Sequence, residues 1–277
     1  MTKSMKTRII TGVVSASLFI PFLVFSGTWA YVGAVGLLAA LAVFEMLGCL
    51  GFRRNIVVSM VCYLYVLSAI ALTRIMDRRH FLMYIAFSSL VFLIVLMSIS
   101  LFSHGRVQVD HISEVFMMMF YISITMSCFV LTRDVANGAF VFLLVYLSAW
   151  MTDTGAYFAG MAFGKHKLIP DVSPKKTVEG AIGGVFCAVL TMLAYALMID
   201  LFTGLTPRYP AFLVGGLILS VASMVGDLFA SLMKRKHGIK DYGFIMPGHG
   251  GILDRFDSVL ATSPIVLLIS ITYGFFK

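Results

Sequence analysis

Apolar runs of about twenty residues recur along this chain from one end to the other, and that length is what an α-helix needs to cross the hydrocarbon core of a bilayer. In lipid every backbone N–H and C=O must be satisfied internally, so such runs fold as helices. Nine candidate spans can be marked, at 8–26, 28–50, 56–75, 81–102, 111–131, 137–160, 180–204, 210–233 and 257–276. Composition agrees: 60% of the 277 residues are hydrophobic, 12% are charged, and the mean hydropathy is +0.97. A soluble domain is only about half apolar and about a quarter charged. The fold class expected is an all-α polytopic integral membrane protein of about nine transmembrane helices. It forms one membrane-embedded domain, with N-terminal spans over 1–135 and polar-loop-bearing spans over 136–277. The first run follows Lys3 and Lys6, lacks a clear A-x-A cleavage site and leads at once into the next, so it reads as an uncleaved anchor.

Lysine and arginine in the loops set the orientation. With the N-terminus inside, fifteen of the 21 Lys and Arg fall on the cytoplasmic side. Arg74, Arg78, Arg79, Arg133, Arg208 and Lys277 fall outside, and Arg74–Arg79 is the one local conflict. The bias puts two polar loops, 161–179 and 234–256, in the cytoplasm. A net charge of +8 then favours anionic lipid headgroups and nucleotide phosphates as partners. No basic run interleaved with exposed aromatics points to nucleic acid. The four cysteines (Cys49, Cys62, Cys128, Cys187) lie inside apolar runs without a Cys-x-x-Cys pair and read as small hydrophobes.

Acids within spans cost about 2.5–3.5 kcal/mol at the bilayer centre, so they face a polar interior. Glu45 sits near Arg53 and Arg54 and reads as a structural pair or hydrogen-bonded helix contact. Asp153 lies in WMTDTGAYFAG, where Gly155, Ala156, Ala159 and Gly160 let another helix approach closely. It is open to a substrate-site role or a buried structural bond. Asp227, Ser231 and Lys234 fall at i, i+4 and i+7 and share one helical face.

The densest polar stretch is SLMKRKHGIKDYGFIMPGHGGILDRFD, Ser231–Asp257. With Asp227 before it, the stretch gathers Asp241, Asp254, Asp257, Lys234, Arg235, Lys236, Lys240, Arg255, His249 and the turn Gly248–Gly251. Asp254 and Asp257 share a face if a helix starts near Leu253. Carboxylates converging here would need a cation between them, and hard oxygen ligands suit magnesium sharing substrate phosphates. Salt bridges to Arg235, Lys240 and Arg255 are the structural alternative. The loop GHGG, Gly248–Gly251, offers backbone N–H groups without Cβ obstruction, a usable anion cradle, and His249 within it could donate to a phosphate or orient the loop. His249 has no second histidine at metal spacing, so a zinc site is not indicated.

The other polar loop contains SPKKTVEG, Ser173–Gly180. Ser173 suits an N-cap and Pro174 suits the first helical position. Lys175 and Lys176 would then lie in the first turn of a helix, where cations are unfavourable unless an anion binds. That points to a phosphate site, with anchoring charge as the alternative.

Ser231–Asp257 resembles the signature of the phosphatidate cytidylyltransferases, the CDP-diacylglycerol synthases. The matching positions are Ser231, Lys234–Arg235, Lys240–Asp241, Gly243, Pro247, His249–Gly250–Gly251, Asp254–Arg255 and Asp257. Met246 departs slightly, at a position the family more often fills with Leu, Ile or Phe. WMTDTGAYFAG, SPKKTVEG and Gly226–Asp227 also look like motifs of that family, so the match is specific over about 150–257. The resemblance implies the reaction of CTP with phosphatidic acid to give CDP-diacylglycerol and pyrophosphate. It implies Mg2+, possibly with a second cation, and a homodimer. Asp227 and Asp257 would hold the metal, with Asp254 as ligand or supporting partner. Lys175, Lys176, Lys234, Arg235, Lys240 and Arg255 would neutralise phosphates. A lipid or polyprenol kinase using CTP or ATP would share these residues but release a nucleoside diphosphate. A secondary transporter of an anionic metabolite would show inverted repeats and midplane polar sites, and neither is visible.

Overall fold

A computed structural model describes residues 21–105, 107–246 and 250–277, and these fall into two compact units. The first contains the described residues up to Leu131 together with Asp241–Arg255; the second contains Thr132–Lys240 and Phe256–Lys277.

In the first unit a 3-10 turn at Phe25–Gly27 leads into α1 (Trp29–Cys49), α2 (Ile56–Leu72), α3 (Arg78–Phe102) and α4 (Val109–Arg133), whose last two residues enter the second unit. The polar joints fix the helix starts. Asn55 Oδ1 accepts from Val58 N at 3.2 Å and caps α2. The Asp77 carboxylate accepts from Arg79 N and His80 N and caps α3. The His80 ring bonds the same carboxylate and, with those amides, holds the Asp77 carboxyl below its ordinary range. Arg74, which conflicts with the charge bias, is used locally, since its guanidinium donates to the carbonyls of Ser26 and Thr28. Inside, small side chains let α1 and α2 pack closely, with Ala39, Ala42, Cys62 and Ala69 wholly buried. Tyr65 stacks on Phe92 of α3 at 4.3 Å and shares a hydrogen bond with Ser89 at 2.8 Å, so the buried hydroxyl is satisfied.

The second unit starts with α5 (Gly138–Phe163), turns through a two-stranded antiparallel hairpin, β1 (Lys167–Ile169) and β2 (Ser173–Thr177), and continues with α6 (Val178–Thr203) and α7 (Tyr209–Lys236). Its last helix is α8 (Leu253–Thr272), which begins in the first unit and joins the second at Phe256. The small residues of WMTDTGAYFAG do permit close approach: a Cβ on Gly155 would lie 2.4 Å from Cys187 Cβ of α6. Pro264 interrupts α8 and cannot donate to the Leu260 carbonyl; Ser263 Oγ donates to it at 3.1 Å instead. The C-terminal residues turn back on the α6–α7 joint through Lys277 N to Thr206 O at 2.9 Å and Arg208 N to Phe275 O at 2.8 Å.

Seven described helices are long and apolar enough to cross a membrane. α2 is apolar but has 17 residues, a rise of about 25 Å. Eight of the nine marked runs thus coincide with helices, while most of the run at 8–26 lies outside the described residues, and the count of nine is not established. The protein is an integral membrane protein of the all-α class.

One expected helix start is corrected. Ser173 does not cap a helix and Lys175 and Lys176 are not in a first helical turn. Ser173–Thr177 is a strand, paired Ile169 to Ser173 and Lys167 to Thr177. α6 starts five residues later than Ser173, at Val178, capped by Thr177 Oγ1 accepting from Gly180 N at 3.1 Å. The hairpin supplies partners for the 173–177 backbone that a helix would otherwise have supplied. Lys175 and Lys176 are therefore not cations misplaced at a helix N-terminus, and no anion is called for on that ground.

Candidate active site

In the second unit α7 brings Asp227, Ser231 and Lys234 down one side, as their spacing requires. Asp227 is met by Lys176 from β2, with Nζ to Oδ2 at 2.6 Å. Alternation along a strand sends neighbouring side chains to opposite faces. Lys176 is half-buried against α7, whereas Lys175 is exposed. The hairpin that delivers Lys176 is closed at its base. The Glu179 carboxylate accepts from Lys165 N at 3.1 Å and His166 N at 3.2 Å and pairs with His166 Nδ1 at 2.6 Å. Val178 N donates to His166 O at 2.9 Å.

Gly226 lets α7 and α8 approach. A Cβ there would lie 2.6 Å from Ala261 Cβ and 2.7 Å from the Asp257 carbonyl oxygen. Asp257 is accordingly in electrostatic range of Asp227, Lys234 and Asp153. Its Oδ1 accepts from Ser258 N at 2.8 Å, and Ser258 Oγ donates to Asp153 Oδ2 at 3.1 Å, tying α5 to α8. Asp153 thus faces another helix. Three carboxylates and two ammonium groups from α5, β2, α7 and α8 make one cluster. Lys234 is only 8% exposed, and a buried ammonium of this kind requires negative charge around it.

The remaining residues of the stretch behave differently. At the end of α7, Arg235 is exposed and its Nη1 donates to Ile239 O at 3.2 Å. Lys240 and Arg255 are exposed. His249 lies outside the described residues.

The first unit holds a second polar assembly, in the segment that carries Gly243, Gly250, Gly251 and Asp254. Asp254 is 8% exposed. Its Oδ2 accepts from Tyr242 N at 2.8 Å and Gly251 N at 3.0 Å, binding the two ends of the loop together. Glu45 enters from α1, 1% exposed. Its Oε1 accepts from Ile252 N and its Oε2 from Leu253 N, both at 2.9 Å. The expected hydrogen-bonded contact for Glu45 is therefore present, but with the backbone amides that open α8 and not with a helix-borne cation. Arg53 lies over the Phe44 ring at 3.3 Å. Sequence reasoning had no signal for this partner, 207 residues away, beyond the rule that a buried acid must have one.

Could the cluster hold a divalent cation? Among the described residues no three His, Cys, Asp or Glu side chains close on one point at metal-binding distance. Asp227 and Asp257 nonetheless offer hard oxygen donors from neighbouring helices, and Asp227 already carries a positive charge at 2.6 Å. Magnesium commonly takes one or two carboxylates and completes its shell with water and substrate phosphates, so this donor set fits it.

Membrane-crossing helices that carry carboxylates and a buried ammonium, with a hairpin lysine ion-paired to one of those carboxylates, define a membrane-embedded protein with a charged site. The chain belongs to the cytidylyltransferase family, whose model matches residues 6–272, and it is thereby a nucleotidyltransferase. It is 34% identical over 271 residues to a protein of Staphylococcus haemolyticus named phosphatidate cytidylyltransferase, covering 96% of this chain and 99% of that one. Proteins of the same name from Staphylococcus aureus and Staphylococcus epidermidis are 35% and 34% identical over 277 and 274 residues, at the same coverage. The kinase and transporter alternatives do not stand beside this membership.

Proposed function

We propose that this chain joins the cytidylyl group of CTP to phosphatidate, forming CDP-diacylglycerol and releasing pyrophosphate, in a bacterial-type plasma membrane. The observation that carries the reading is the Lys176–Asp227 pair at 2.6 Å beside Asp257 and the buried Lys234. It joins, at membrane-crossing helices and the hairpin beside them, the two charge types that such a reaction needs. In the reaction an oxygen of the phosphatidate phosphate bonds to the α-phosphorus of CTP, and the bond to the departing β,γ-pyrophosphate breaks. Both reactants are anionic, so rate comes from neutralising charge and aligning the groups.

Asp227 and Asp257 would hold Mg2+, which when bound screens the two anions from each other. Lys176 and Lys234 neutralise phosphate oxygens. Lys176 pairs with Asp227 and would be released to a substrate phosphate where Mg2+ took over that carboxylate. Asp153 holds Ser258 and so the face of α8 that carries Asp257. Lys175, Arg235, Lys240 and Arg255, all exposed, attract CTP from solution. Asp254, whose Oδ2 accepts from two amides, takes the supporting role of tying the loop. The charge bias of the loops puts this site on the cytoplasmic side, where CTP is found, and anionic lipids surround it. A homodimer is part of the same reading.

Purified protein in phosphatidate-containing micelles with CTP and magnesium should release pyrophosphate only when both substrates are present. Release from CTP alone, or none with both, would contradict the reading.

A further inference from the structure

We propose that Glu45 is a positioning residue for the cytidylyl transfer: its buried carboxylate takes the two amides that open α8, and Gly243 and Gly251 exist to admit it. The inference rests on the reading above and concerns an acid that the signature stretch does not contain.

The first amides of a helix have no partner within it and carry the positive end of its dipole. In α8 that end is met by a carboxylate from α1, with both oxygens used at 2.9 Å. The segment around it is shaped to this group. A Cβ on Gly251 would lie 2.5 Å from both Glu45 oxygens, and a Cβ on Gly243 would lie 2.5 Å from Oε1. Neither glycine has a positive φ, which among the described residues of this loop is found at Gly250. Conformational freedom therefore does not demand glycine at 243 or 251; the space for Glu45 does. The anion these two glycines cradle is a protein carboxylate. Asp254, in the first turn of α8, binds Tyr242 N and Gly251 N. Two carboxylates thus fix the loop and the start of the helix that also carries Asp257. Glu45 touches the backbone and no reacting atom.

This predicts a particular kinetic pattern. Glu45→Gln keeps the shape but turns an amide N–H toward a backbone N–H, so α8 loses one of its two acceptors. Loss of a group that orients functional residues costs about 10- to 100-fold, and it falls on kcat because alignment, not substrate affinity, is disturbed. Full-length wild-type protein is assayed first with CTP and phosphatidate; no turnover there overturns the functional reading and this inference with it.

Given an active wild type, Glu45→Gln should lower kcat about 10- to 100-fold and leave both KM values within about twofold. Glu45→Asp, which keeps the charge, should recover part of the loss. Gly251→Ala should reproduce the kcat loss alone, yet cost little more when added to Glu45→Ala, because the side chain it strikes is gone. If Glu45→Ala does not fold, Gly251→Ala is added to Glu45→Asp, where the shorter acid should likewise soften its effect. The inference is overturned if Glu45→Gln keeps wild-type kcat, or if the 45 and 251 effects multiply independently. It is also overturned if Gly251→Ala raises the KM for CTP whatever stands at position 45, since the glycine would then be serving a phosphate.

Discussion

Replacing Gly226 with alanine tests whether the spacing of α7 and α8 sets activity. The added methyl would meet Ala261 Cβ at 2.6 Å and the Asp257 carbonyl oxygen at 2.7 Å. Non-bonded carbon atoms settle at about 3.5–4.0 Å, so the two helices must part by roughly 0.8 Å or more, and neither contact is the end of a flexible side chain. Overpacking of this kind costs about 1–3 kcal/mol. The larger effect is on chemistry. Asp227 follows Gly226 directly and Asp257 supplies the struck carbonyl, so the two proposed metal-holding carboxylates separate with the helices. A misplacement of about 1 Å in a catalytic arrangement can cost about 100-fold. Gly226→Ala protein should melt several degrees lower in detergent and turn over CTP with phosphatidate about 100-fold more slowly. The two are read by a thermal shift assay and by initial rates at saturating substrate. A variant that melts lower but retains wild-type kcat would refute the reasoning, because the helix spacing would then matter to packing alone.

Asp227→Asn and Asp257→Asn should each insert normally and lose nearly all turnover; activity within about tenfold of wild type in either would argue against direct metal holding. Lys176→Ala should lower turnover far more than Lys175→Ala, because only Lys176 reaches Asp227; equal kinetics in the two variants would deny the pair a role. Single cysteines at Thr206 and Lys236, exposed positions flanking or ending α7, should label from opposite sides with an impermeant thiol reagent in a background lacking the four native cysteines. Labelling from one side would mean that α7 does not cross the bilayer.

The spans were legible because lipid leaves a long apolar run little choice but a helix, while the caps at Asn55 and Asp77 that fix two of the starts emerged only with the structure. The shared face of Asp227, Ser231 and Lys234 followed from helical spacing, and the helix does start at Leu253, but Asp254 binds the Tyr242 and Gly251 amides while Asp257 lies by Asp227. What failed was the start of α6. Ser173–Pro174 reads as a cap, but its backbone found partners in β1, and a three-residue strand leaves no periodic signature to weigh against it. Thr177, three residues before Gly180, was the available sign of the true cap. The Lys176–Asp227 pair could not be read at all, since strand alternation, and not helical spacing, decides which lysine faces α7. Glu45 was visible as an acid in need of a partner. Its partners are amides, which have no residue type to search for.

The most direct test of the functional reading is where label from CTP goes. The full-length protein is incubated with phosphatidate, magnesium and CTP carrying phosphorus label at the α position, and in a parallel reaction at the γ position. Cytidylyl transfer puts the α label in a lipid product and the γ label in pyrophosphate. Label from the γ position in the lipid, or none from the α position, would contradict it.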